Sequence, residues 1–235
     1  MPQLSVVIPA YNEEHTVAGV VRAHADMGRK IATGCEVLVC DDGSTDGTWR
    51  VLETVAHGDP SVKLLRNGTN LGIPATMKRL YAAAGGDWIY FTAADGQVPD
   101  VALEVMWAAR EGQALVVGRR VPRRDPLTRV LIAEVYSAGL RAVFRLPVRD
   151  VDSVKLYRGA DLRAIDVRSR SNFFEAELLI TLCRRRRPVT EVVVPHRPRI
   201  AGRAKGVTLA SAALAIRELL GFMVADLFRA RRGSP

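Results

Sequence analysis

Short apolar, β-branched runs alternate along the chain with longer stretches in which apolar residues recur at helical spacing. In the first half, the runs that predict strands are Leu4–Ile8, Glu36–Cys40, Val62–Leu65, Trp88–Thr92 and Ala114–Val117. Helices are predicted between them at 14–30, 47–57, 74–84 and 100–111. This alternation is typical of βαβ units, so we predict an α/β fold with a mainly parallel central sheet and helices on both faces.

The second half continues with a helix at 127–145, a strand near 151–157, a helix at 174–186 and a strand at 189–194. A loop at 195–206 and a terminal helix at 207–228 follow. The terminal helix contains Arg217, Glu218 and Asp226, which favours an amphipathic helix over a membrane-spanning one. The first ten residues lack the basic region of a secretory signal. We therefore expect a protein that is either soluble in the cytoplasm or bound peripherally to the inner face of the plasma membrane.

Charge is distributed unevenly over the 235 residues, whose formal net charge is +9. Residues 1–115 carry 9 basic and 14 acidic residues, whereas 116–235 carry 25 basic and 11 acidic residues. Such asymmetry indicates an acidic half and a basic half that meets phosphate or an anionic membrane surface. Aromatic residues make up only 6% of the chain, and this scarcity together with the acidic first half excludes nucleic acid as the expected partner.

Two polar motifs follow the first two predicted strands, at Pro9–Glu14 and Asp41–Gly47. Ligands of open α/β sheets bind beyond the carboxyl ends of the strands. Tyr11 offers a flat ring for a base, and the adjacent carboxylates of Asp41 and Asp42 could accept hydrogen bonds from a ribose and a base edge. The alternative for both motifs is a turn that starts a helix.

A third motif, Thr92–Gln97, follows the fourth predicted strand and contains Asp95 and Gln97. A carboxylate and an amide oxygen at this spacing could share a divalent cation, since Mg²⁺ takes one or two protein carboxylates plus substrate phosphates. The cation would neutralise charge on a leaving diphosphate; the alternative is an Asp-Gly turn. No G-x-G-x-x-G follows a strand, and the P-loop pattern is absent, which excludes those two nucleotide-binding motifs.

Four segments in this order, SVVIPAYNEE, DDGSTDGT, NLGIPATMKRLYAAAGGDW and AADGQ, resemble glycosyltransferase family 2, whose members have the GT-A fold. The later segments VVGRR, LPVRDVDSVKLYR, FFEAELL and VVVPHRPRIAGRAKG resemble its polyprenyl-phosphate branch, the dolichol-phosphate mannosyltransferase type. The resemblance implies a single GT-A domain over 1–235. Residues 1–118 would form a Rossmann-like half that binds a nucleotide sugar, and 119–235 an acceptor-binding half that ends in the amphipathic helix.

The resemblance also implies an activity, the inverting transfer of a sugar from a nucleoside-diphosphate sugar to a polyprenyl phosphate. It assigns the catalytic roles to Asp95, Arg119 and Arg129, of which the two arginines would meet the acceptor phosphate. It assigns the cation, Mg²⁺ or Mn²⁺, to Asp95 and Gln97. The donor-binding residues that it implies are Pro9, Tyr11, Glu13, Asp42, Asp95 and Lys205, the last of which would close over the diphosphate.

Three positions depart from the family pattern. Ala93 replaces the first carboxylate of the usual D-x-D, Ala133 replaces the serine of an Arg-x-x-x-Ser motif that begins at Arg129, and Ala204 precedes Lys205 where relatives have serine. Two alternatives therefore stay open. One is transfer to a hydroxyl group, for which a carboxylate of the second half, at position 152, 175 or 177, would act as base. The other is a non-catalytic module that binds a nucleotide sugar.

Overall fold

The computed structural model describes residues 2–199 and 209–232, and in the last helix it describes the side chains of 213–224. These residues form seven strands and eight helices. The strands are β1 Leu4–Ala10, β2 Cys35–Asp41, β3 Val62–Arg66, β4 Trp88–Phe91, β5 Leu115–Arg120, β6 Lys155–Arg158 and β7 Val189–Val194. The helices are α1 Val17–Ile31, α2 Thr48–Gly58, α3 Ile73–Ala83, α4 Val101–Ala108, α5 Leu127–Phe144, α6 Gly159–Arg163, α7 Phe173–Arg184 and α8 Leu209–Arg232.

All seven strands belong to one sheet, in the order β3-β2-β1-β4-β6-β5-β7. β6 runs antiparallel to both of its neighbours, and the other pairs are parallel. The carboxyl ends of the six parallel strands therefore lie along the same edge of the sheet. Every candidate site residue that follows a strand is carried to this edge.

The sheet lies between two apolar layers because successive side chains of a strand point to opposite faces. In β1, Val6 and Ile8 pack in a core with α1, α2 and α4, whereas Val7 packs in a second core with α3 and α7. The strands of the sheet centre are buried on both faces, which explains their nearly continuous apolar sequences. This confirms the predicted α/β architecture with helices on both faces.

The elements differ from the sequence prediction in three places. β1 continues through Pro9 to Ala10; its pairing with β4 ends at Val7, so the missing N–H of Pro9 removes no bond on that side. The strand predicted near 151–157 begins only at Lys155. Val151 is apolar because it is buried in the loop before the strand, so its apolar character does not indicate a strand. The five-residue helix α6 follows β6 directly and is too short for its periodicity to be detected.

Among the described residues, no helix combines the length and the apolar character that a bilayer span needs.

Candidate active site

The three motifs of the first half meet at the carboxyl edge, because β1 lies between β2 and β4 in the sheet. Register places Ala10 beside Asp41, and Val7 beside Phe91. Pro9 is thus the second-last residue of β1, and Tyr11 and Glu13 follow that strand. Asp42 lies on one side of them, and Asp95 and Gln97 lie on the other. The structure therefore brings together all the predicted donor and cation residues that it describes.

Hydrogen bonds tie the loop after β1 to the loop after β2. Asn12 has a positive φ of 52°, and its side-chain Oδ1 accepts a bond of 2.8 Å from the backbone N of Thr45. The backbone N of Glu13 donates to Thr48 Oγ1 at 2.8 Å, and the N of Gly47 donates to Glu14 Oε2 at 2.9 Å. These bonds join the side chains of Asn12 and Glu14 to the loop after β2, and Thr48 at the start of α2 to the loop after β1, so that the two loops form one fixed rim.

Asp42 is buried, with 4% of its surface exposed, and its carboxylate holds the loop that precedes α3. Its Oδ1 accepts bonds from Asn67 Nδ2 at 2.7 Å and from the backbone N of Leu71 at 2.9 Å, and its Oδ2 accepts one from the N of Gly72 at 2.9 Å. Asp42 therefore has a structural role. A nucleotide contact by Asp42 stays a prediction.

The neighbouring Asp41 is completely buried and also has protein partners. Its Oδ1 accepts a bond from the N of Ser44 at 3.2 Å, and Arg66 Nε lies 3.3 Å from its Oδ2. Gly43 then turns with a φ of 69° against the backbone of Thr69, where a Cβ would come within 2.8 Å of the Thr69 Cα. The D-D-G sequence is thus needed to pack this loop against the one that leads to α3.

A basic segment that follows β7 reaches back across the edge to the acidic half; we call residues 195–199 the crossing segment. Val121 N donates to Val194 O at 3.0 Å, and Arg124 N donates to His196 Nδ1 at 3.0 Å. The N of Arg197 then donates to Gln97 O at 2.7 Å, and Gln97 Nε2 lies 3.5 Å from Arg197 O. This path takes the chain past β5 and β6 to the loop after β4.

The crossing segment ends with Arg199, whose guanidinium group lies between two predicted site residues. Its Nη1 is 3.4 Å from Asp95 Oδ2, and its Nη2 donates to Glu13 Oε1. All three side chains are largely buried. Arg199 therefore supplies positive charge beside the carboxylate to which the sequence assigns the cation. Sequence reasoning missed this residue; the basic composition of the 195–206 loop was the available signal.

The residues present fit a cation that is shared with a bound diphosphate, and not one that the protein holds alone. Asp95 is the single carboxylate of the motif, because Ala93 replaces the other. In the part of the chain that the structure describes, no three His, Cys, Asp or Glu side chains come together as metal ligands. Mg²⁺ sites with one protein carboxylate are completed by substrate phosphates and water.

The basic half begins at the carboxyl end of β5. A cavity of about 340 Å³ there is lined by five arginines and two carboxylates, namely Arg119, Arg120, Arg123, Arg141, Arg149, Glu134 and Asp150. Arg120 is bound to Asp150 by two bonds of 2.8 and 2.9 Å, and these hold the pKa of Asp150 below its usual range although burial acts in the opposite direction. Arg119 has a looser partner, with its Nε 3.8 Å from Glu191 Oε2. Among the described residues, the guanidinium groups of Arg141 and Arg149 have no carboxylate partner, although the backbone N of Arg149 donates to Glu191 Oε1 at 2.5 Å.

Arg129 lies in the first turn of α5, and its side chain is half exposed. Its Nη1 is 3.7 Å from Asp125 Oδ1, and Asp125 is buried against Arg123. Arg129 is not among the residues that line the cavity at Arg119. The structure therefore places the two predicted acceptor arginines in the same region without joining them in one cavity. The position of Lys205 lies outside the described residues.

Glu175, a base candidate for a hydroxyl acceptor, is buried in a polar network under the sheet edge. Its Oε1 accepts a bond of 2.8 Å from Tyr81 Oη. Its Oε2 accepts one of 2.8 Å from Tyr157 Oη and lies 3.0 Å from Lys155 Nζ. Burial, reinforced by the charge of Glu175, raises the pKa of both tyrosines well above their usual value, so both stay protonated and donate.

The other two base candidates are also placed. Glu177 is buried and accepts bonds from the backbone N of Arg168 at 3.1 Å and of Ser169 at 2.9 Å. Asp152 is an exposed residue of the loop before β6, and its backbone O accepts a bond from Arg120 Nη2. Both glutamates thus stabilise the second half of the chain internally, and of the three candidates only Asp152 keeps an exposed carboxylate.

The family model for glycosyl transferase family 2 matches residues 5–149. Glycosyltransferase AglD of Haloferax volcanii is 27% identical over 208 residues, which are 84% of this chain and 33% of that protein. An undecaprenyl-phosphate mannosyltransferase of Micrococcus luteus is 28% identical over 211 residues, 85% of each chain. This chain spans about a third of the length of two of the curated relatives that it matches.

Solved structures resemble the fold over nearly the whole chain. Glucosyl-3-phosphoglycerate synthase of Mycobacterium tuberculosis, crystallised with Mn²⁺, UDP-glucose and phosphoglyceric acid, superposes with a TM-score of 0.72. It is 20% identical, and the match covers 94% of this chain and 79% of that one. The α/β fold is therefore of the GT-A type. Because the family model covers more than half of the sequence and the same strand ends carry its motifs, this chain belongs to glycosyl transferase family 2.

Proposed function

We propose that this protein transfers a sugar, with inversion, from a nucleoside-diphosphate sugar to a polyprenyl phosphate. The proposal divides the work between residues 1–118, which bind the donor, and residues 119–235, which bind the acceptor. The observation that carries it is a contrast in the acceptor half. Five arginines line a cavity at the carboxyl end of β5, where the two carboxylates are Asp150, which is bound to Arg120, and the exposed Glu134. The buried Glu175 and Glu177 are committed to protein partners.

The donor would bind at the ends of β2, β1 and β4. Pro9, Tyr11, Glu13 and Asp42 would hold the nucleotide, and Lys205 would close over the diphosphate. The fixed rim between the first two loops supports a nucleotide site, because a ligand then binds without ordering those loops first. Parallel strand ends of this kind are where α/β sheets bind nucleotides.

Asp95 and Gln97 would hold Mg²⁺ or Mn²⁺ together with the donor phosphates. The cation, when bound, supplies positive charge for the leaving nucleoside diphosphate. Arg199 lies against Asp95 and is the protein's own positive charge at that place. Support also comes from solved neighbours of the same fold that were crystallised with Mn²⁺ or Mg²⁺ and UDP.

Arg119 and Arg129 would bind the acceptor phosphate. A phosphate monoester is an anion at neutral pH, so its oxygen can attack the anomeric carbon without losing a proton to the protein. Arginine suits this task because its planar group donates two parallel bonds to phosphate oxygens. A hydroxyl acceptor would instead need a positioned base. The buried Glu175 and Glu177 already bind other groups, which leaves the exposed Asp152 as the remaining candidate of the three.

The name of the Micrococcus relative supports a polyprenyl phosphate as acceptor, and a lipid acceptor would place the enzyme at a membrane. The basic half, with its net charge of +14, would face the anionic inner surface of the plasma membrane. Peripheral attachment there would let a cytoplasmic nucleotide sugar reach a membrane-bound phosphate.

The test is sugar transfer from a panel of nucleoside-diphosphate sugars, with Mg²⁺ or Mn²⁺, to three acceptors: a short polyprenyl phosphate, the corresponding alcohol and 3-phosphoglycerate. Arg119→Ala should raise the KM for the lipid phosphate by about tenfold or more, since a charge-assisted hydrogen bond contributes about 1.5–3 kcal/mol. Arg22→Ala, on an exposed position of α1, is the matched control. Preference for the alcohol or for phosphoglycerate would contradict the proposal, as would donor binding without turnover on any acceptor.

A further inference from the structure

The outer face of α5 is apolar although it is exposed. Four of its large apolar side chains, Leu127, Leu131, Ile132 and Val135, are between 65% and 86% exposed, and Val143 is 54% exposed. Soluble proteins scatter exposed apolar side chains singly, whereas a contiguous group marks a surface that binds something. We call this group the α5 face.

Helical geometry places these residues on one side of α5. Leu127, Leu131 and Val135 are four residues apart, so they form one row along the helix. The opposite side carries Ser137 and Leu140, which are buried against the protein. The small residues between the large ones on the outer side are also exposed, and these are Ala138, Gly139 and Ala142. The α5 face therefore extends over most of a helix of 18 residues, about 27 Å long.

Arginines surround the α5 face. Arg124 precedes the helix, and Arg145 and Arg149 follow it; all three are exposed. Arg129 and Arg141 lie on the helix itself, where Glu134 is the single carboxylate. An apolar stripe with a basic border has the chemistry of a helix that lies in the interface of an anionic membrane, with apolar side chains in the acyl region and cations among the headgroups.

A second exposed apolar row continues from α5. α8 exposes Ile216, Leu220 and Val224, again four residues apart. The two helices meet where the rings of Phe144 and Phe222 are 6.1 Å apart. Neither helix packs on the core through these outer rows, because other side chains of α5 and α8 do so, namely Tyr136, Leu140, Phe144, Ala215, Leu219 and Phe222.

We infer that the α5 face is a docking surface for an anionic lipid bilayer. The inference rests on the proposed function for its purpose, because a polyprenyl phosphate presents its headgroup at such a surface. Arg119 and Arg149 line the cavity beside α5, so docking through this face would bring the cavity close to the headgroups.

Charge favours a bilayer over a second copy of this chain. In a two-fold contact the same patch faces itself, so each arginine border would meet another arginine border. Like charges brought together across a contact are unfavourable. An anionic bilayer offers the complementary charge along the whole border.

The experiment measures vesicle binding of the full chain by flotation. Vesicles of phosphatidylcholine with phosphatidylglycerol are compared with pure phosphatidylcholine vesicles, at low and at high salt. The double variant Leu131→Gln, Val135→Gln replaces two apolar side chains at the centre of the α5 face with glutamine, which favours the helical conformation. Its binding to the anionic vesicles should fall by about tenfold or more, since buried apolar area drives insertion of such a helix. The matched control is Val101→Gln, Val105→Gln on α4, where both valines are also partly exposed.

We expect the wild type to bind only vesicles that contain anionic lipid, and to bind them less at high salt. We expect the α5 variant to lose this binding and the α4 variant to keep it. Equal binding of the wild type and the α5 variant would overturn the inference, and so would no binding of the wild type. Light scattering tests the alternative occupant. If the wild type is a dimer, the α5 variant is a monomer and both bind vesicles equally, the α5 face is the contact with a second copy of this chain. Sugar transfer to a detergent-solubilised polyprenyl phosphate tests the proposed function separately, because it needs no bilayer.

Discussion

Replacing Glu175 with Gln should destabilise the protein strongly, because it leaves the ammonium group of Lys155 buried without its counter-charge. Lys155 is 1% exposed, and the carboxylate of Glu175 lies 3.0 Å from its Nζ. The other bond of that ammonium group in the described residues goes to the backbone O of Ser153 at 3.1 Å. Glu175→Gln also turns one acceptor oxygen into an amide group that faces a tyrosine hydroxyl.

The size of the effect follows from the burial of the pair. Removing one partner of a buried ion pair costs about 3–5 kcal/mol, because the remaining charge is left without compensation. A domain of this size has a total stability of about 5–15 kcal/mol. At about 2–4 °C per kcal/mol, the melting temperature should fall by roughly 6–20 °C.

The assay is thermal and urea denaturation, with Glu177→Gln as the matched control. Glu177 lies on the same helix and accepts two backbone N–H bonds without a basic partner, so its amide should cost less, about 1–3 kcal/mol. The double variant Lys155→Met, Glu175→Gln removes both charges and should recover more than half of the loss, since the penalty belongs to the unpaired charge.

Two results would refute the reasoning. If Glu175→Gln melts within 2–3 °C of the wild type, which corresponds to about 1 kcal/mol, the pair does not compensate a buried charge. If that stable variant also loses 10²–10⁴-fold in sugar transfer, Glu175 acts as a base and the acceptor is a hydroxyl group. Activity that is retained below the melting transition supports the phosphate acceptor.

Three further predictions concern the first half and its contacts. Asp42→Ala should lower the melting temperature by several degrees and weaken binding of the donor nucleotide, because the buried Asn67 Nδ2 loses its acceptor at about 1–3 kcal/mol and two part-buried backbone N–H groups lose theirs; unchanged nucleotide affinity by calorimetry would leave Asp42 with its structural role alone. Arg199→Ala should raise the Mn²⁺ affinity of the protein saturated with the donor nucleotide by roughly fivefold or more, since a unit charge at 4 Å is worth about 1–4 kcal/mol at such a site; titration followed by electron paramagnetic resonance checks this against Arg197→Ala, and an equal affinity in both variants would contradict it. Burial lowers the pKa of His24 from its ordinary value of 6.5, so the unfolded chain takes up a proton first and stability should fall as the pH drops below about 6.5; His24→Leu should reduce that slope in melting curves, and an equal slope would show that other groups cause it.

Local signals in the sequence predicted most of the architecture. Apolar runs bounded by turn residues placed six of the seven strands to within about three residues at each end. β6 was harder because Val151 and Val154 are buried in the loop before it, and burial in a loop leaves the same apolar signal as a strand. Its antiparallel direction has no local signal, since direction is set by the path of the chain between strands.

The candidate site was predictable where it depends on strand ends and not where it depends on contacts between distant segments. Asp95 and Gln97 follow β4 directly, so their position could be expected from order along the chain. Arg199 reaches Asp95 from 104 positions away, and the pairing of Lys155 with Glu175 is equally a product of tertiary packing. The sequence pattern at Asp42 predicted a residue that binds a ligand, and it gave no sign that the same carboxylate holds the loop before α3.

β6 has a mechanical consequence. Because it bonds to β4 on one side and to β5 on the other, the sheet runs without a break between β4, which is followed by the loop that contains Asp95, and β5, which contains Arg119. Strands lie about 4.8 Å apart, so two steps set these strand ends about 10 Å apart along the edge. The sheet thus fixes the distance between the proposed donor and acceptor sites, and the described residues contain no hinge within it. Any movement that brings the substrates together belongs to the loops above the edge.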